Sequence, residues 1–156
     1  MRKKLSVILS LAVMICCFHF STVSEAANSD ITYLEDGYYL VTEVQDSASG
    51  ITTYSTTKSG SKTSRLYGAD DQLLATFTVY GTFSIDSGVS VECTKVSYSQ
   101  TVSSSNWKFL SATISRNNTS TSKASAVGTG MFKNVNTGKQ VNISVTLSCS
   151  KTGVLS

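Results

Sequence analysis

Apolar and polar residues alternate with a period of two along most of this chain, which is the pattern of half-buried β-strands. The clearest run lies near the C-terminus, where every odd-numbered residue from Val141 to Cys149 is apolar and its neighbours are polar. A second run has its apolar phase at odd-numbered positions from Phe77 to Ile85, with Gly81 at its centre. No segment shows a sustained helical period, so the pattern predicts an all-β fold.

The apolar phase slips once within a strand. Val91 and Cys93 lie on one parity, whereas Val96 and Tyr98 lie on the other. A β-bulge inserts one extra residue and restores the facing of the side chains that follow. We therefore predict a bulge near Thr94 and Lys95.

Turn-forming residues divide the chain into short strands. They occur at Asp36-Gly37, Ser49-Gly50, Ser59-Gly60, Gly68 to Asp71, Asp86 to Gly88, Asn117-Asn118 and Asn136 to Gly138. Strands that recur every ~8–14 residues favour a sandwich or a barrel. We expect one antiparallel β-sandwich domain over residues 27–156, with residues 27–60 as a looser N-terminal hairpin region.

The N-terminus has the pattern of a signal peptide. Residues 2–4 are basic, residues 5–20 are largely apolar, and Ser24-Glu25-Ala26 places small residues at the −3 and −1 positions of a cleavage site. We expect residues 1–26 to direct export and cleavage to follow Ala26. The remaining chain of about 130 residues contains no second apolar run of membrane-spanning length (~20 residues), so we expect a secreted protein without a membrane segment.

Composition excludes several kinds of chemistry. The single histidine, His19, lies in the signal peptide, so residues 27–156 contain no histidine for a catalytic triad or a zinc site. Removal of the signal peptide lowers the formal net charge from +3 to about +1. The basic residues are scattered, whereas nucleic-acid binding needs clustered positive charge. We therefore expect no nucleic-acid partner and no cofactor.

Two cysteines remain after cleavage, Cys93 and Cys149, both on the apolar phase of their strands. Export permits a disulfide, which would close a loop of about 56 residues and add on the order of 4 kcal/mol. The alternative is two buried free thiols. With Trp107 between them, the order Cys, Trp, Cys is similar to that of immunoglobulin domains. This spacing favours two packed sheets, although Leu147 stands where those domains have tyrosine.

Exposed aromatic residues are the best candidates for binding. Tyr39 and Tyr80 lie on the polar phase of their strands, where their rings are available to sugar rings or to a partner protein. Ordinary cross-strand packing of aromatic residues is the alternative. Glycoside hydrolysis needs only two carboxylates, and Glu43 and Glu92 are candidates for that weaker hypothesis.

Five short motifs lie within residues 57–156: TKSGSKT at 57–63, VYGTFS at 79–84, VECT at 91–94, NWK at 106–108 and LSCSKTGVLS at 147–156. In these the chain resembles small secreted proteins of unknown function from Gram-positive bacteria. The resemblance implies no assigned activity and a host that forms few disulfides.

These observations lead us to expect a secreted, non-catalytic binding module whose partner is a cell-wall glycan or a secreted or surface protein. A bacteriocin-like or toxin-like antagonistic factor is the main alternative. A carboxylate-dependent hydrolase is the weaker one.

Overall fold

The computed structural model describes residues 29–51 and 56–156, and for residues 48–51 it describes the backbone only. The signal peptide predicted for residues 1–26 lies outside the described residues. Within it the chain forms eight antiparallel strands. These are β1 (Ser29–Tyr33), β2 (Tyr39–Ile51), β3 (Thr56–Tyr67), β4 (Leu73–Asp86), β5 (Ser90–Val102), β6 (Trp107–Asn117), β7 (Lys123–Asn134) and β8 (Gln140–Ser150). A short 3-10 helix, Glu35–Gly37, connects β1 to β2.

The strands form two sheets in simple chain order. The first sheet has the order β1-β2-β3-β4-β5, and the second has the order β6-β7-β8. The second sheet packs mainly over β3, β4 and β5, so the first two strands extend to one side. This arrangement confirms the predicted all-β class and is consistent with a β-sandwich.

The core lies between the sheets, and the period-two pattern identifies it correctly. The odd-numbered residues from Val141 to Cys149 and from Phe77 to Ile85 face inward, and their apolar side chains are buried. The predicted bulge is also confirmed, because Thr82 pairs with Lys95 and Phe83 pairs with Cys93, which leaves Thr94 as the extra residue.

Small residues on β7 allow the two sheets to approach closely. The inward positions of this strand include Ala124, Ala126, Gly128 and Gly130. A Cβ atom on Gly128 would lie 2.6 Å from Val79 Cγ2, and one on Gly130 would lie 2.7 Å from Phe77 Cδ2. Glycine is thus required here by the space that the opposite sheet occupies, and not by backbone conformation.

The Ser59-Gly60 turn prediction is wrong, because β3 passes straight through both residues. Gly60 pairs with Gly81 of the next strand, and a Cβ atom on Gly60 would collide with the Leu155 side chain and lie 2.9 Å from the Gln45 carbonyl oxygen. This glycine therefore permits a close approach. Similarly, β2 continues through Ser49-Gly50 with an irregularity in register, and its reversal toward β3 falls outside the described residues.

The order of Cys93, Trp107 and Cys149 correctly favours two packed sheets, but the three residues do not pack together as they do in immunoglobulin domains. On β7, Asn134 pairs with Trp107 and Ala124 pairs with Cys149, so the tryptophan and Cys149 lie ten residues apart along the sheet, about 33 Å. Trp107 is buried at the opposite end of the core. The consecutive strand order likewise differs from the immunoglobulin arrangement.

The structure contains no disulfide between Cys93 and Cys149, and it shows the alternative of two buried free thiols. Each thiol donates instead to a carbonyl oxygen of its own strand, Cys93 Sγ to Lys95 O at 3.5 Å and Cys149 Sγ to Ser150 O at 3.4 Å. Burial raises the pKa of both thiols. Both cysteines therefore act as small core residues with little thiolate character at neutral pH.

Candidate binding face

Three tyrosines lie side by side on the outer face of the first sheet, across β1, β2 and β3. Tyr33 pairs with Tyr39, which pairs with Tyr67. The ring centroids of Tyr33 and Tyr39 are 6.1 Å apart, and those of Tyr39 and Tyr67 are 5.1 Å apart with nearly parallel planes. We call Tyr33, Tyr39 and Tyr67 the tyrosine cluster.

Local turn chemistry aligns the cluster. Asp36 and Gly37 both have positive φ, 59° and 76°, and this left-handed backbone closes the tight connection that places Tyr33 opposite Tyr39. The connection also packs against the β3–β4 turn, because a Cβ atom on Gly37 would lie 2.9 Å from the Ala69 Cβ. The two turns thus hold the three strand ends in register.

The central tyrosine is fixed by a hydrogen bond. The Tyr39 hydroxyl donates to Asp71 Oδ1 at 2.9 Å. This bond to a carboxylate, followed by partial desolvation and the negative charge of Asp71, raises the pKa of Tyr39. Tyr39 is therefore a neutral phenol held in one orientation, between a freer ring on β1 and a stacked ring on β3.

Apolar surface is exposed around the cluster. Tyr33 is 79 % exposed and Ile31, two residues earlier on the same face, is 50 % exposed. Val41 pairs with Ile31 and is half-buried. One border of this surface is an ion pair, in which Arg65 Nη1 lies 2.6 Å from Glu43 Oε2.

Tyr80, the other predicted binding residue, lies on the same outer face but not in the cluster. It is 43 % exposed, and its hydroxyl lies 3.1 Å from Ser99 Oγ. Tyr80 pairs with Ser61 of β3, and Ser61 pairs with Gln45 of β2. Gln45 is six residues from Tyr39 along β2. The two predicted tyrosines are therefore about 20 Å apart along the strands.

Tyr33 and Tyr67 were missed as partners of Tyr39 because alternation indicates a face but not a register. The Asp36-Gly37 turn was the available signal for one of them, because it predicts a hairpin that brings these two strands together. A two-residue turn there would pair Tyr33 with Leu40, and it is the longer connection over residues 34–38 that pairs Tyr33 with Tyr39. Nothing as local identifies Tyr67, because the β2–β3 reversal carries no such turn in the pattern.

The two candidate carboxylates are not brought together. Glu43 pairs with Thr63 of β3, which pairs with Thr78 of β4. Glu92 pairs with Ser84, which is six residues from Thr78 along β4. This separation of about 20 Å compares with ~5–9.5 Å between the catalytic carboxylates of glycosidases. Among the described residues, no group of three or more His, Cys, Asp or Glu side chains is arranged to hold a metal ion.

The chain matches no model of a known protein family. Comparison with curated proteins and with solved structures finds no match either. The resemblance to small secreted proteins of Gram-positive bacteria therefore stays a prediction. In the described part of the chain, no helix has the length and apolar character needed to cross a membrane.

Proposed function

We propose that this protein is a secreted, non-catalytic module that binds an extracellular surface through the tyrosine cluster. The observation that carries the proposal is the alignment of three aromatic rings on adjacent strands of the outer face, with exposed Ile31 beside them. Exposed apolar patches bordered by polar residues are typical of interaction sites. Secretion rests on the sequence pattern of residues 1–26.

The rigidity of the site supports binding. Tyrosine offers a large contact area with few rotatable bonds, so little conformational entropy is lost when a ligand binds. Here Tyr39 is held by Asp71 and stacked on Tyr67, which reduces that loss further. A surface on a hydrogen-bonded sheet also positions its side chains better than a loop does.

Co-sedimentation of residues 27–156 with purified Gram-positive cell walls and with insoluble polysaccharides tests the proposal. We expect the protein to be retained, and Tyr33→Ala combined with Tyr67→Ala to abolish retention. Tyr80→Ala is the matched control, since it removes an exposed tyrosine from the same face about 20 Å away. Retention that survives the double substitution, or no retention on any surface, would refute the proposal and favour a soluble antagonistic factor.

A further inference from the structure

An open groove of about 550 Å³ lies beside the tyrosine cluster, where the β1–β2 connection meets the beginning of β8. Tyr33, Leu34 and Glu35 form one wall, and residues 139–142 form the other. Tyr33 belongs to both the cluster and the groove. The groove therefore continues the proposed binding face from the first sheet to the edge of the second.

Lys139 holds the two walls of the groove together. Its ammonium group forms an ion pair with the Asp36 carboxylate, lies 3.5 Å from the Glu35 carbonyl oxygen, and sits 4.9 Å from the centre of the Tyr38 ring. Tyr38 in turn packs edge-on against Trp107, which anchors it to the core. The groove is thus formed before any ligand arrives.

The charges around the groove nearly balance, so they favour no charged ligand. Lys139 is paired with Asp36, and the Glu35 carboxylate adds a further negative charge. On the tyrosine cluster, the Asp71 carboxylate binds the Tyr39 hydroxyl, and Arg65 is paired with Glu43. On the β8 side, Lys133 pairs with Gln140 and Lys108 pairs with Lys133, so these two ammonium groups balance the Glu35 and Asp71 carboxylates. A polymer of either charge therefore gains little net attraction here.

The polar groups of the groove suit hydroxyl-bearing ligands. Gln140 and Asn142 are both exposed and project from the same face of β8, about 7 Å apart along the strand. A carboxamide both donates and accepts hydrogen bonds, as a sugar hydroxyl does. The adjacent Tyr33 ring offers an apolar surface for the C–H face of a sugar.

The rest of the outer face also differs from a protein interface. Hydroxyl side chains are frequent on it. Thr63 and Thr78 lie 2.9 Å apart between the tyrosine cluster and Tyr80, and Ser59 and Thr82 lie 3.3 Å apart just beyond Tyr80. Serine is depleted at protein–protein interfaces, whose centres are rich in aromatic and other large side chains. The surface is better matched to a ligand that is itself rich in hydroxyl groups.

We infer that the ligand is an uncharged polysaccharide chain, which lies across Tyr33 and enters the groove between the β1–β2 connection and β8. This inference rests on the proposed function and names its ligand class. Tyr33 stacks against a sugar ring, while Gln140 and Asn142 bind hydroxyl groups of neighbouring sugars.

Affinity electrophoresis of residues 27–156 in gels containing hydroxyethyl cellulose, mixed-linkage β-glucan, galactomannan or polygalacturonate tests the inference. We expect retardation by at least one neutral polymer, none by polygalacturonate, and little change with added salt. Tyr33→Ala should weaken binding about tenfold or more, and Asn142→Ala should weaken it several-fold. Gln100→Ala, an exposed amide on β5, is the matched control and should bind like the unmodified protein.

The outcomes separate this inference from the proposed function. Absence of binding to every neutral polymer, with cell-wall retention that still depends on Tyr33 and Tyr67, would overturn the inference alone. Cell-wall retention that is lost when the walls are treated with protease would identify a protein partner and also overturn it. Neutral-polymer binding that is unchanged by Tyr33→Ala and Asn142→Ala would place the site elsewhere and refute both.

Discussion

Replacing Gly130 with alanine adds a single methyl group where the two sheets approach closely, and so tests whether that approach requires glycine. The new Cβ would lie 2.7 Å from Phe77 Cδ2, 2.9 Å from Phe77 Cε2 and 3.1 Å from Phe132 Cε2. Both phenylalanines are completely buried, so neither ring can move aside into solvent. The added methyl group should therefore force either a shift of the Phe77 ring or a separation of the sheets.

Two opposing effects set the magnitude of the change. Forcing an extra methyl group into a packed core costs ~1–3 kcal/mol. Gly130 does not have a positive φ, so alanine suits its backbone. Alanine also reduces the conformational entropy of the unfolded chain, and this stabilisation offsets ~0.4–1 kcal/mol of the packing cost. We expect Gly130→Ala to lower the free energy of unfolding by about 1–2 kcal/mol, measured by urea denaturation.

A double-mutant cycle with Phe77→Val identifies the cause. This substitution removes the two closest ring atoms and leaves only the Phe132 contact at 3.1 Å, so the cost of the alanine should fall in that background, with a coupling of about 1 kcal/mol or more. Gly88→Ala is the control, because Gly88 has a φ of 74° and no atom within 4 Å of an added Cβ. Its cost should be the same in both backgrounds. An equal cost of Gly130→Ala in both backgrounds would refute the steric explanation.

Three further measurements address the core and the tyrosine cluster. Trp107→Ala should lower the free energy of unfolding by about 3–5 kcal/mol, because the side chain is buried, and a loss below about 1 kcal/mol would contradict that placement. Cys93 and Cys149 should react with a thiol reagent only in denaturant, since burial raises the pKa of both; finding no reactive thiol even there would contradict the free-thiol structure. Asp71→Asn should lower the pKa of Tyr39 toward its ordinary value of 10.0, as followed by absorbance. Because the folded pKa is raised, the stabilisation is present below pH 10.0 and is lost as pH rises through the folded pKa, and an unchanged titration would exclude this bond.

The facing of side chains was predictable from sequence because it depends on the parity of neighbouring residues. The inward series ending at Cys149 and the bulge at Thr94 follow from that rule alone. Sheet membership was not predictable in the same way. Alternation within a strand does not indicate which strand is its hydrogen-bonded neighbour. Nothing in the pattern therefore shows that the first sheet ends at β5.

The role of Gly60 and the spatial arrangement of the cysteines and Trp107 were not predictable for a related reason. Gly60 has the same residue type whether it forms a turn or admits a neighbouring side chain, and only the position of Leu155 distinguishes the two. The order of Cys93, Trp107 and Cys149 reflects distance along the chain. Their separation in space depends on the pairing with β7, which places Trp107 and Cys149 at opposite ends.

The unequal size of the two sheets explains why the most exposed part of the binding face can form on the first two strands without weakening the core. The second sheet packs mainly over β3 to β5, and every residue of β1 is exposed. Exposed side chains gain little from burial of apolar surface, so stability places few demands on the residues at these positions. Tyr33→Ala should therefore change the free energy of unfolding by no more than about 0.5 kcal/mol while it removes binding. A loss of stability comparable to the loss of binding would mean instead that Tyr33 serves to hold β1 on the sheet.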